Sequence, residues 1–336
     1  MKVDELKFVP GSPVARSFSI AVLIPCLNEA VTIAAVVTQL KEVLPHASIY
    51  VYDNGSDDAT ISTARAAGAT VRSEPRRGKG NVTRRMFADV EADIYVLIDG
   101  DNTYDVVAIP QMVEMMVGQN LDMVTGRRIA ACAAAYRGGH DFGNRVFTWA
   151  IGWMFGQGCD DVFSGLRVMT RRFVKSFPAL ATGFEIETDL TVHALALRTP
   201  IADYPVKYSD RPAGSSSKLH KYHDGLRILL RLLTLLRTER PFILYGLLGL
   251  IASTISLVLG IRVVEDFMET GLVPRFPSAI LATGLMLSGF ISIVCGVILQ
   301  ALARYRHETF RLRYLSLPCL LASSDDASFY AEARST

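Results

Sequence analysis

Residues 94–105 read IYVLIDGDNTYD, an apolar run followed by a turn that carries two carboxylates. The first five residues are large and partly β-branched, which predicts a buried strand. Gly100 lets the chain bend between Asp99 and Asp101, so both carboxylates can face one site. Two carboxylates and a diphosphate together form a suitable oxygen shell for Mg²⁺ or Mn²⁺. Asp99 and Asp101 are therefore the candidate metal ligands.

Strand-like and helical segments alternate on both sides of this motif. The predicted strands cover residues 19–25, 48–52, 70–72, 94–98 and 122–125, and the predicted helices cover 28–44, 57–67, 80–91 and 109–118. This alternation predicts an α/β fold, a mostly parallel Rossmann-like sheet with helices on both faces. Ligands bind such sheets beyond the carboxyl ends of the strands.

Polar clusters follow three of these strands, where a ligand would bind. They are Asn28-Glu29, Asp53-Asn54-Gly55-Ser56 and Asp99-Gly100-Asp101. Chance would scatter such residues, so their position indicates a functional edge of the sheet. No GxGxxG motif follows the first strand and no Walker loop occurs, which argues against a dinucleotide oxidoreductase and against an ATPase.

A basic loop, Arg76-Arg77-Gly78-Lys79-Gly80, opens one of the predicted helices. Backbone N–H groups at a helix start, together with lysine and arginine charges, suit a diphosphate. A solvated basic turn is the alternative. Asp53 could accept a hydrogen bond from a base or a ribose, or it could equally cap its own turn.

The end of the chain is too apolar for a soluble core. Half of all residues are hydrophobic, 20% are charged and the mean hydropathy is +0.27, with the excess beginning at Phe242. The run 242–261 has 20 residues without a charge, about 30 Å of helix, which matches the hydrocarbon core of a bilayer. A second span is predicted over 277–303, with residues 262–275 as the loop between the spans. Two buried core helices of a soluble protein are the alternative.

Arginines flank the two spans on one side. They are Arg227, Arg231, Arg237 and Arg240 before the first span, and Arg304, Arg306, Arg311 and Arg313 after the second. The positive-inside rule then places both termini and the soluble part in the cytoplasm. We therefore expect a multi-pass protein of the inner (cytoplasmic) membrane.

These features predict four parts of the chain. Residues 1–220 form a cytosolic domain, 221–241 an interfacial amphipathic helix, 242–303 a transmembrane hairpin and 304–336 a cytosolic tail. Within the amphipathic segment, Arg227, Arg231 and Thr234 share one helical stripe, while leucine and isoleucine fill the rest. This pattern is typical of a helix in the headgroup region, and packing against the soluble domain is the alternative.

Charge and cysteine usage exclude other classes of protein. The formal net charge is +2, which gives no field that would attract nucleic acid. The five cysteines are scattered, without a CxxC pair or a zinc-like spacing, so we expect reduced thiols in a cytosolic domain.

Seven segments occur in the order of one known family. They are VLIPCLNEAVTI (22–33), YDNGSDDAT (52–60), RRGKGNV (76–82), LIDGDNTYD (97–105), DVFSGLRVMTRR (161–172), GFEIETDL (183–190) and DRPAGSSSKL (210–219). Together they resemble the inverting family-two glycosyltransferases with the GT-A fold. More narrowly, the chain resembles the dolichyl-phosphate mannose synthase and bacterial polyprenyl-phosphate glycosyltransferase group. Asn54 stands where the family commonly has a second Asp, which puts a charge role there in doubt.

The resemblance implies roles for individual residues. The nucleotide pocket would be lined by Pro25, Asn28 and Glu29, with Asp53 at the base, Lys79 near the diphosphate, and Asp99 and Asp101 holding the metal or the donor. Catalysis would also use Arg167, Arg211 and Lys218, which would hold phosphate groups. The acceptor phosphate would contact Arg127, Arg145, Arg167, Arg211, Ser217 and Lys218.

The reaction that the resemblance implies joins both halves of the chain. A sugar would pass from a UDP- or GDP-linked donor to a membrane polyprenyl phosphate, of the undecaprenyl or dolichyl type, with inversion. A phosphate monoester is mostly a dianion at pH 7, so it needs no general base. Positioning and electrostatics would then carry catalysis. The hairpin would bring the domain to the lipid, and it could also support a homo-oligomer.

Two other hypotheses stay open at this point. A lipid or glycan hydroxyl acceptor would need a general base, for which Asp161 is the candidate. A nucleotide-sugar-binding membrane protein without turnover would instead recruit another protein. The Asp99 and Asp101 pair and the basic loop speak against this second hypothesis.

Overall fold

The computed structural model describes residues 18–130, 140–156, 160–181, 183, 185–209 and 224–320, with the backbone alone within 130–147 and 224–231. The chain divides into two units. One, called here the sheet unit, comprises residues 1–221 and 310–336, and the other, the helical unit, comprises residues 222–309.

Seven strands form one sheet within the described part of the sheet unit. They are β1 (Ile20–Cys26), β2 (Ser48–Asp53), β3 (Thr70–Ser73), β4 (Ile94–Leu97), β5 (Met123–Ala130), β6 (Arg167–Thr170) and β7 (Ile201–Tyr208). The strand order is β3-β2-β1-β4-β6-β5-β7. Among these strands only β6 runs antiparallel to its neighbours, β4 and β5. The sheet is therefore mostly parallel, which confirms the predicted fold class.

Helices cover both faces of the sheet, as predicted. They are α1 (Ile33–Val43), α2 (Thr60–Ala66), α3 (Lys79–Asp89), a 3₁₀ turn (Val106–Ala108), α4 (Ile109–Gly118), α5 (His140–Phe155), α6 (Arg171–Ser176) and α7 (Ile186–Leu197). Apolar side chains of α1 and α4, such as Val37 and Met112, fill the core on one face. Those of α3, α6 and α7, such as Met86, Phe173 and Leu190, fill the core on the other face.

Helix α1 begins at Ile33, five residues later than the predicted start at Asn28. Asn28 has a φ of 54°, a left-handed conformation that asparagine tolerates better than most residues and that a helix cannot include. Glu29 O accepts hydrogen bonds from the N–H groups of Thr32 and Ile33. Residues 28–32 therefore form a turn at the edge of the sheet, which leaves their polar groups beside the strand ends.

In the described residues after β7, the chain forms three helices. They are α8 (Asp224–Glu239), α9 (Pro241–Thr270) and α10 (Phe276–Leu315). Helix α9 continues into the predicted loop 262–275 and ends at Thr270. Gly271, which has a φ of 67°, caps the helix in the left-handed conformation. Helix α10 continues past 303, because the chain has no glycine or proline from there to Leu315. Its last six residues, 310–315, belong to the sheet unit.

Helices α9 and α10 are long and apolar enough to cross a membrane. Their most apolar windows have mean hydropathies of 2.3 and 2.2, and only 11% of each window is buried. Such exposure disfavours the alternative of two core helices of a soluble protein. At the crossing of the two helices, a Cβ on Gly249 would lie 2.7 Å from Gly289 O. Small residues that let two backbones approach this closely are typical of membrane helix pairs.

Candidate active site

The sheet brings the three predicted polar clusters together at one edge. Strand β1 lies between β2 and β4, so the turns that follow these three strands are neighbours. The Asn28 N–H donates to Ser56 Oγ (2.9 Å). The Thr32 hydroxyl donates to Gly100 O (2.7 Å). Backbone and side-chain hydrogen bonds thus tie each outer cluster to the central one.

The residues predicted to line a nucleotide pocket lie at this edge. Pro25 is in β1, and Asn28 and Glu29 are in the turn that follows it. The Asn28 side-chain oxygen accepts from the Asp57 N–H (2.9 Å). The Glu29 N–H donates to Thr60 Oγ1 (2.9 Å). These bonds hold the turns after β1 and β2 against each other, and contact of Pro25, Asn28 and Glu29 with a nucleotide stays a prediction.

Asp53 ends β2 and caps the turn that follows it. Its carboxylate accepts hydrogen bonds from the backbone N–H groups of Gly55 (3.0 Å) and Ser56 (3.2 Å). The structure thus shows the turn-capping role that the sequence left open. A contact between Asp53 and a base stays a prediction.

Asn54 holds the basic loop in place. Its side-chain nitrogen donates to Glu74 O (2.9 Å) and to Arg76 O (2.8 Å). Its side-chain oxygen accepts from the Gly78 N–H (2.6 Å). A carboxylate has no proton to give to the two carbonyls, so an aspartate could not make this set of bonds. This is a physical reason for an amide at a position where the family commonly has an acid.

Lys79 lies between two carboxylates from different parts of the fold. Its Nζ donates to Asp99 Oδ1 and to Glu187 Oε1, the latter at 2.6 Å. The three side chains are mostly buried, with Lys79 and Glu187 each less than one-tenth exposed. We call this group the Lys79 clamp. It connects the start of α3, the turn after β4 and the start of α7.

The clamp shifts the pKa values of its members. Burial alone would lower the pKa of Lys79, but Asp99 and Glu187 outweigh burial and raise it. Lys79 therefore stays protonated through the physiological range. Burial raises the pKa of Glu187, with Asp99 adding to the rise and Lys79 opposing it. The positive charge of Lys79 is what keeps a second carboxylate tolerable beside Asp99.

Asp101 follows Asp99 by two residues in the turn after β4 and is almost fully buried. Its Oδ1 accepts from the Thr103 hydroxyl (2.6 Å) and N–H (3.2 Å). Among the described residues, no group of three or more His, Cys, Asp or Glu side chains could hold a metal ion. Mg²⁺ usually takes one or two protein carboxylates and completes its shell with substrate phosphates and water. The pair Asp99 and Asp101 fits that pattern, with a donor diphosphate supplying the other oxygens.

Gly165 packs directly against Asp99. A Cβ at this position would lie 2.2 Å from Asp99 Oδ2, which is too close for any side chain. The Gly165 N–H donates to Tyr104 Oη (2.8 Å), which fixes the glycine backbone. Glycine is thus required here so that the carboxylate can occupy its position.

Arg167, at the start of β6, is fully buried. Its Nη2 donates to Val162 O (2.9 Å), to Glu187 O (3.0 Å) and to Thr191 Oγ1 (2.9 Å). These bonds fix the start of α7 and so the backbone that carries Glu187. The predicted contact between Arg167 and a phosphate has no support from this arrangement, because it would require the side chain to leave these partners.

Two arginines at the end of β5 pair with two aspartates. Arg128 makes a bidentate pair with Asp161, with Nε–Oδ2 and Nη2–Oδ1 distances of 2.7 Å. Arg127 lies 3.4 Å from Asp160 and is partly exposed. Asp161 is therefore engaged at both oxygens, which disfavours it as a general base. Contact between Arg127 and an acceptor phosphate stays a prediction.

The remaining predicted phosphate ligands lie outside the described residues. They are Arg211, Ser217, Lys218 and the side chain of Arg145, whose backbone lies in α5. Two other residues of α5, Trp149 and Trp153, are 71% and 58% exposed. Their spacing of four places them on one face of the helix.

Sequence reasoning missed the role of Glu187 and of Asn54. Glu187 lies in the segment 183–190 that resembles the family, but the sequence assigned no contact to it. In the structure it holds a lysine by its carboxylate and an arginine by its backbone carbonyl. An acidic residue within the segment 183–190, which resembles the family, is the signal that could have pointed to it.

Comparisons with known proteins agree with this geometry. The family model described as glycosyl transferase family 2 matches residues 21–174. Glycosyltransferase AglJ of Haloferax volcanii is 30% identical over 252 residues, which cover 74% of this chain and 82% of that protein. A dolichyl-phosphate hexose transferase of the same organism is 25% identical over 210 residues, which cover 62% of this chain and 90% of that protein.

A solved structure gives the same result for the fold. Glucosyl-3-phosphoglycerate synthase from Mycobacterium tuberculosis, in complex with Mn²⁺, UDP-glucose and phosphoglyceric acid, has a TM-score of 0.51 to this chain at 25% identity. The match covers 68% of this chain and 85% of that one. With the mostly parallel sheet, its strand-end carboxylates and a relative that matches over most of its length, this chain belongs to glycosyl transferase family 2 and has the GT-A fold.

Proposed function

We propose that this chain transfers a sugar from a UDP- or GDP-linked donor to a polyprenyl phosphate in the membrane, with inversion at the anomeric carbon. The observation that carries the proposal is a family-two domain followed by two long apolar helices whose side chains are mostly exposed. An enzyme whose acceptor cannot leave the bilayer has to work at its surface. The relative named as a dolichyl-phosphate hexose transferase supports a lipid phosphate as acceptor.

The donor site would use the edge of the sheet described above. Pro25, Asn28, Glu29 and Asp53 would contact the nucleoside, and Lys79 would face its diphosphate. Asp99 and Asp101 would hold Mg²⁺ or Mn²⁺. A bound divalent cation would act as a Lewis acid that stabilises the departing diphosphate. The glucosyl-3-phosphoglycerate synthase complex with Mn²⁺ and UDP-glucose supports a divalent cation and a nucleotide-sugar donor for this fold.

The acceptor needs little help from the protein as a base. A polyprenyl phosphate is mostly dianionic at pH 7, so an oxygen is ready to attack the anomeric carbon. The protein would hold this oxygen in line with the leaving diphosphate, a contribution of orientation and electrostatics. Arg127, Arg145, Arg211, Ser217 and Lys218 are the proposed contacts of the acceptor phosphate, and Arg167 would act through α7.

The chain would lie in the inner membrane with its family-two domain and both termini in the cytoplasm. Arginines flank the two apolar helices on the side that is proposed to be cytoplasmic. This placement supplies nucleotide sugars from the cytosol and the lipid phosphate from the adjacent leaflet. Residues 221–241 would lie in the headgroup region, and residues 304–336 would be cytosolic.

A hydroxyl acceptor is the alternative reaction. It would need a general base, and the bidentate pair with Arg128 makes Asp161 a poor one. We expect Asp161→Asn to lower stability through loss of this pair, while turnover per folded protein changes little. Abolished turnover in a folded variant that still binds donor would favour the hydroxyl acceptor.

The test is a transfer assay with the full chain in detergent or in native membranes. Undecaprenyl phosphate and a panel of labelled UDP- and GDP-sugars are incubated with Mg²⁺ or Mn²⁺, and the lipid fraction is counted. We expect one donor to label the lipid and EDTA to abolish the labelling. An unlabelled lipid fraction with every common donor and both metals would contradict the proposal.

A further inference from the structure

Asp99 has two competing partners. In the proposed function it binds a divalent cation, whereas in the structure its Oδ1 accepts a hydrogen bond from Lys79. An ammonium group and a divalent cation on the same carboxylate repel each other strongly in a site with little water. Binding of the metal therefore requires Lys79 to weaken or leave its contact with Asp99.

Glu187 offers Lys79 a second place. Its Oε1 already accepts from Lys79 Nζ at 2.6 Å. Its Oε2 is buried and has no hydrogen-bond partner among the described residues. A lysine ammonium has three protons, so the proton given to Asp99 can turn to Glu187 Oε2 instead. A buried acceptor without a donor is unfavourable, and this change would satisfy it.

The backbone of Glu187 has a partner other than Lys79. Arg167 Nη2 donates to the backbone oxygen of Glu187 (3.0 Å) and to Thr191 Oγ1 (2.9 Å), one turn further along α7. The buried Arg167 guanidinium therefore fixes the backbone of the first turn of α7. Glu187 can stay in place while Lys79 changes its partner.

We propose that the Lys79 clamp is an exchange device for the metal: Lys79 neutralises Asp99 while the metal is absent and passes its hydrogen bond to Glu187 when the metal binds Asp99. This inference rests on the proposed function, from which it takes the divalent cation. Glu187 is the positioning residue of the device, because it acts through Lys79 and not on the substrate. No covalent bond forms or breaks.

The exchange has an electrostatic advantage in both states. In the empty site, Lys79 separates the charges of Asp99 and Glu187, which would otherwise repel each other at short range. In the loaded site, Glu187 keeps the ammonium close to the diphosphate that the metal binds. The positive charge is retained and only its partner changes.

The test measures Mn²⁺ binding to the full chain in detergent micelles, without nucleotide and with UDP, by electron paramagnetic resonance of free Mn²⁺. We compare Glu187→Gln with Glu187→Asp, which keeps the charge but shortens the side chain by about 1.5 Å. The exchange predicts that both variants weaken Mn²⁺ binding without nucleotide by about tenfold. In each variant Asp99 is the carboxylate that stays within reach of Lys79, so the metal must displace the ammonium group from it.

Two further variants complete the design. The double variant Lys79→Met with Glu187→Gln keeps the formal charge of the clamp at −1 and leaves it on Asp99, whose side chain is 27% exposed and so partly solvated, so the variant should fold. We expect it to bind Mn²⁺ at least about tenfold more tightly than Glu187→Gln alone, because the competitor is gone. Glu185→Gln, which makes the same charge change two residues away on an exposed side chain, is the matched control and should bind as the unmodified chain does. Thermal unfolding checks that each variant is folded.

Four results would contradict the exchange, the metal site or the proposed acceptor. Weak binding by Glu187→Gln combined with unchanged binding by Glu187→Asp would overturn the exchange in favour of a simple charge effect. A double variant as weak as Glu187→Gln would show that Lys79 is not the competitor. No Mn²⁺ binding by the unmodified chain, with or without UDP, would overturn the exchange together with the metal site. The expected binding pattern without any transfer to polyprenyl phosphate would overturn the proposed acceptor and leave the exchange standing.

Discussion

Asn54 shows how one side chain can shape a whole loop. Three hydrogen bonds join its amide to the backbone of residues 74–78. Changing Asn54 to Asp would replace a donor by a carboxylate that faces two carbonyl oxygens. We expect a loss of about 1–3 kcal/mol in the free energy of unfolding. The Michaelis constant for the donor should also rise, because the basic loop that precedes Lys79 is released.

The control for this variant is Asn120→Asp, which makes the same change in the loop between α4 and β5. Asn120 has a φ of 50°, a conformation that aspartate also tolerates. Thermal unfolding and donor kinetics are measured for both. Equal effects of the two substitutions would show that the hydrogen bonds of Asn54 are not responsible.

Gly165 supports the position of Asp99 by having no side chain. The methyl group of Gly165→Ala would lie 2.2 Å from Asp99 Oδ2, so the carboxylate must move. A displacement of this kind, on the order of 1 Å, lowers kcat by about a hundredfold when the group takes part in the reaction. We expect this loss in steady-state kinetics, with the protein still folded. Gly118→Ala, at the end of α4 with nothing within 4 Å of its Cβ, should keep its activity.

At the scale of single residues, the sequence pattern predicted where the polar clusters lie better than it predicted which residues they contact. The carboxylates after IYVLI and the basic loop could be found because strands and turns leave a local signal in the sequence. The partner of Lys79 could not, because Glu187 lies more than one hundred residues further along the chain and reaches it only through the packing of α7. Arg167 resembled a phosphate ligand, and only the packed structure reveals that carbonyl groups enclose it.

At the scale of elements, the last turns of α10 are part of the sheet unit. Tyr314 donates to Asp122 Oδ2 (2.5 Å), and its ring lies under the Arg172 guanidinium at 4.8 Å. Asp122 is fully buried at the start of β5 and also accepts from Arg172. Residues 310–315 therefore help to hold the sheet domain, although they follow a helix that the sequence assigns to the membrane.

This contact gives a prediction about stability. Tyr314→Phe keeps the ring but removes a hydrogen bond to a buried carboxylate, which contributes about 1.5–3 kcal/mol. We expect a lower unfolding temperature in detergent and little change in donor affinity, because Asp122 immediately precedes β5, at the end of the sheet opposite to the turns that follow β1, β2 and β4. Tyr305→Phe is the matched control, since Tyr305 is largely exposed. An unfolding temperature of Tyr314→Phe equal to that of the control would contradict this account of the α10 end.

Helices α9 and α10 are longer than the spans predicted from the sequence. The predicted spans ended where charged residues began, at 262 and 304, whereas the helices run to Thr270 and Leu315. Charge marks the end of a hydrocarbon core, but a helix ends where a residue breaks it. Gly271 is such a residue, and Arg304 with Glu308 forms an i,i+4 pair that favours continuation.

At the scale of the molecule, one chain combines a family-two domain with two apolar helices that could cross a membrane. The alternation of strands and helices, the strand-end clusters and the long apolar runs allowed the general plan to be predicted from sequence. The acceptor is the part of the plan on which the rest of the function depends. A lipid phosphate acceptor needs no general base, which agrees with the pairing of Asp161, the candidate base, with Arg128.

The most direct test of this central claim compares two acceptors in the same detergent. Full-length protein receives its donor and metal with either undecaprenyl phosphate or undecaprenol, and mass spectrometry reads the lipid product. We predict a glycosyl phosphate lipid from undecaprenyl phosphate, none from undecaprenol, and none from either with Asp99→Asn. A glycosylated undecaprenol in place of the phosphate-linked product would contradict the account.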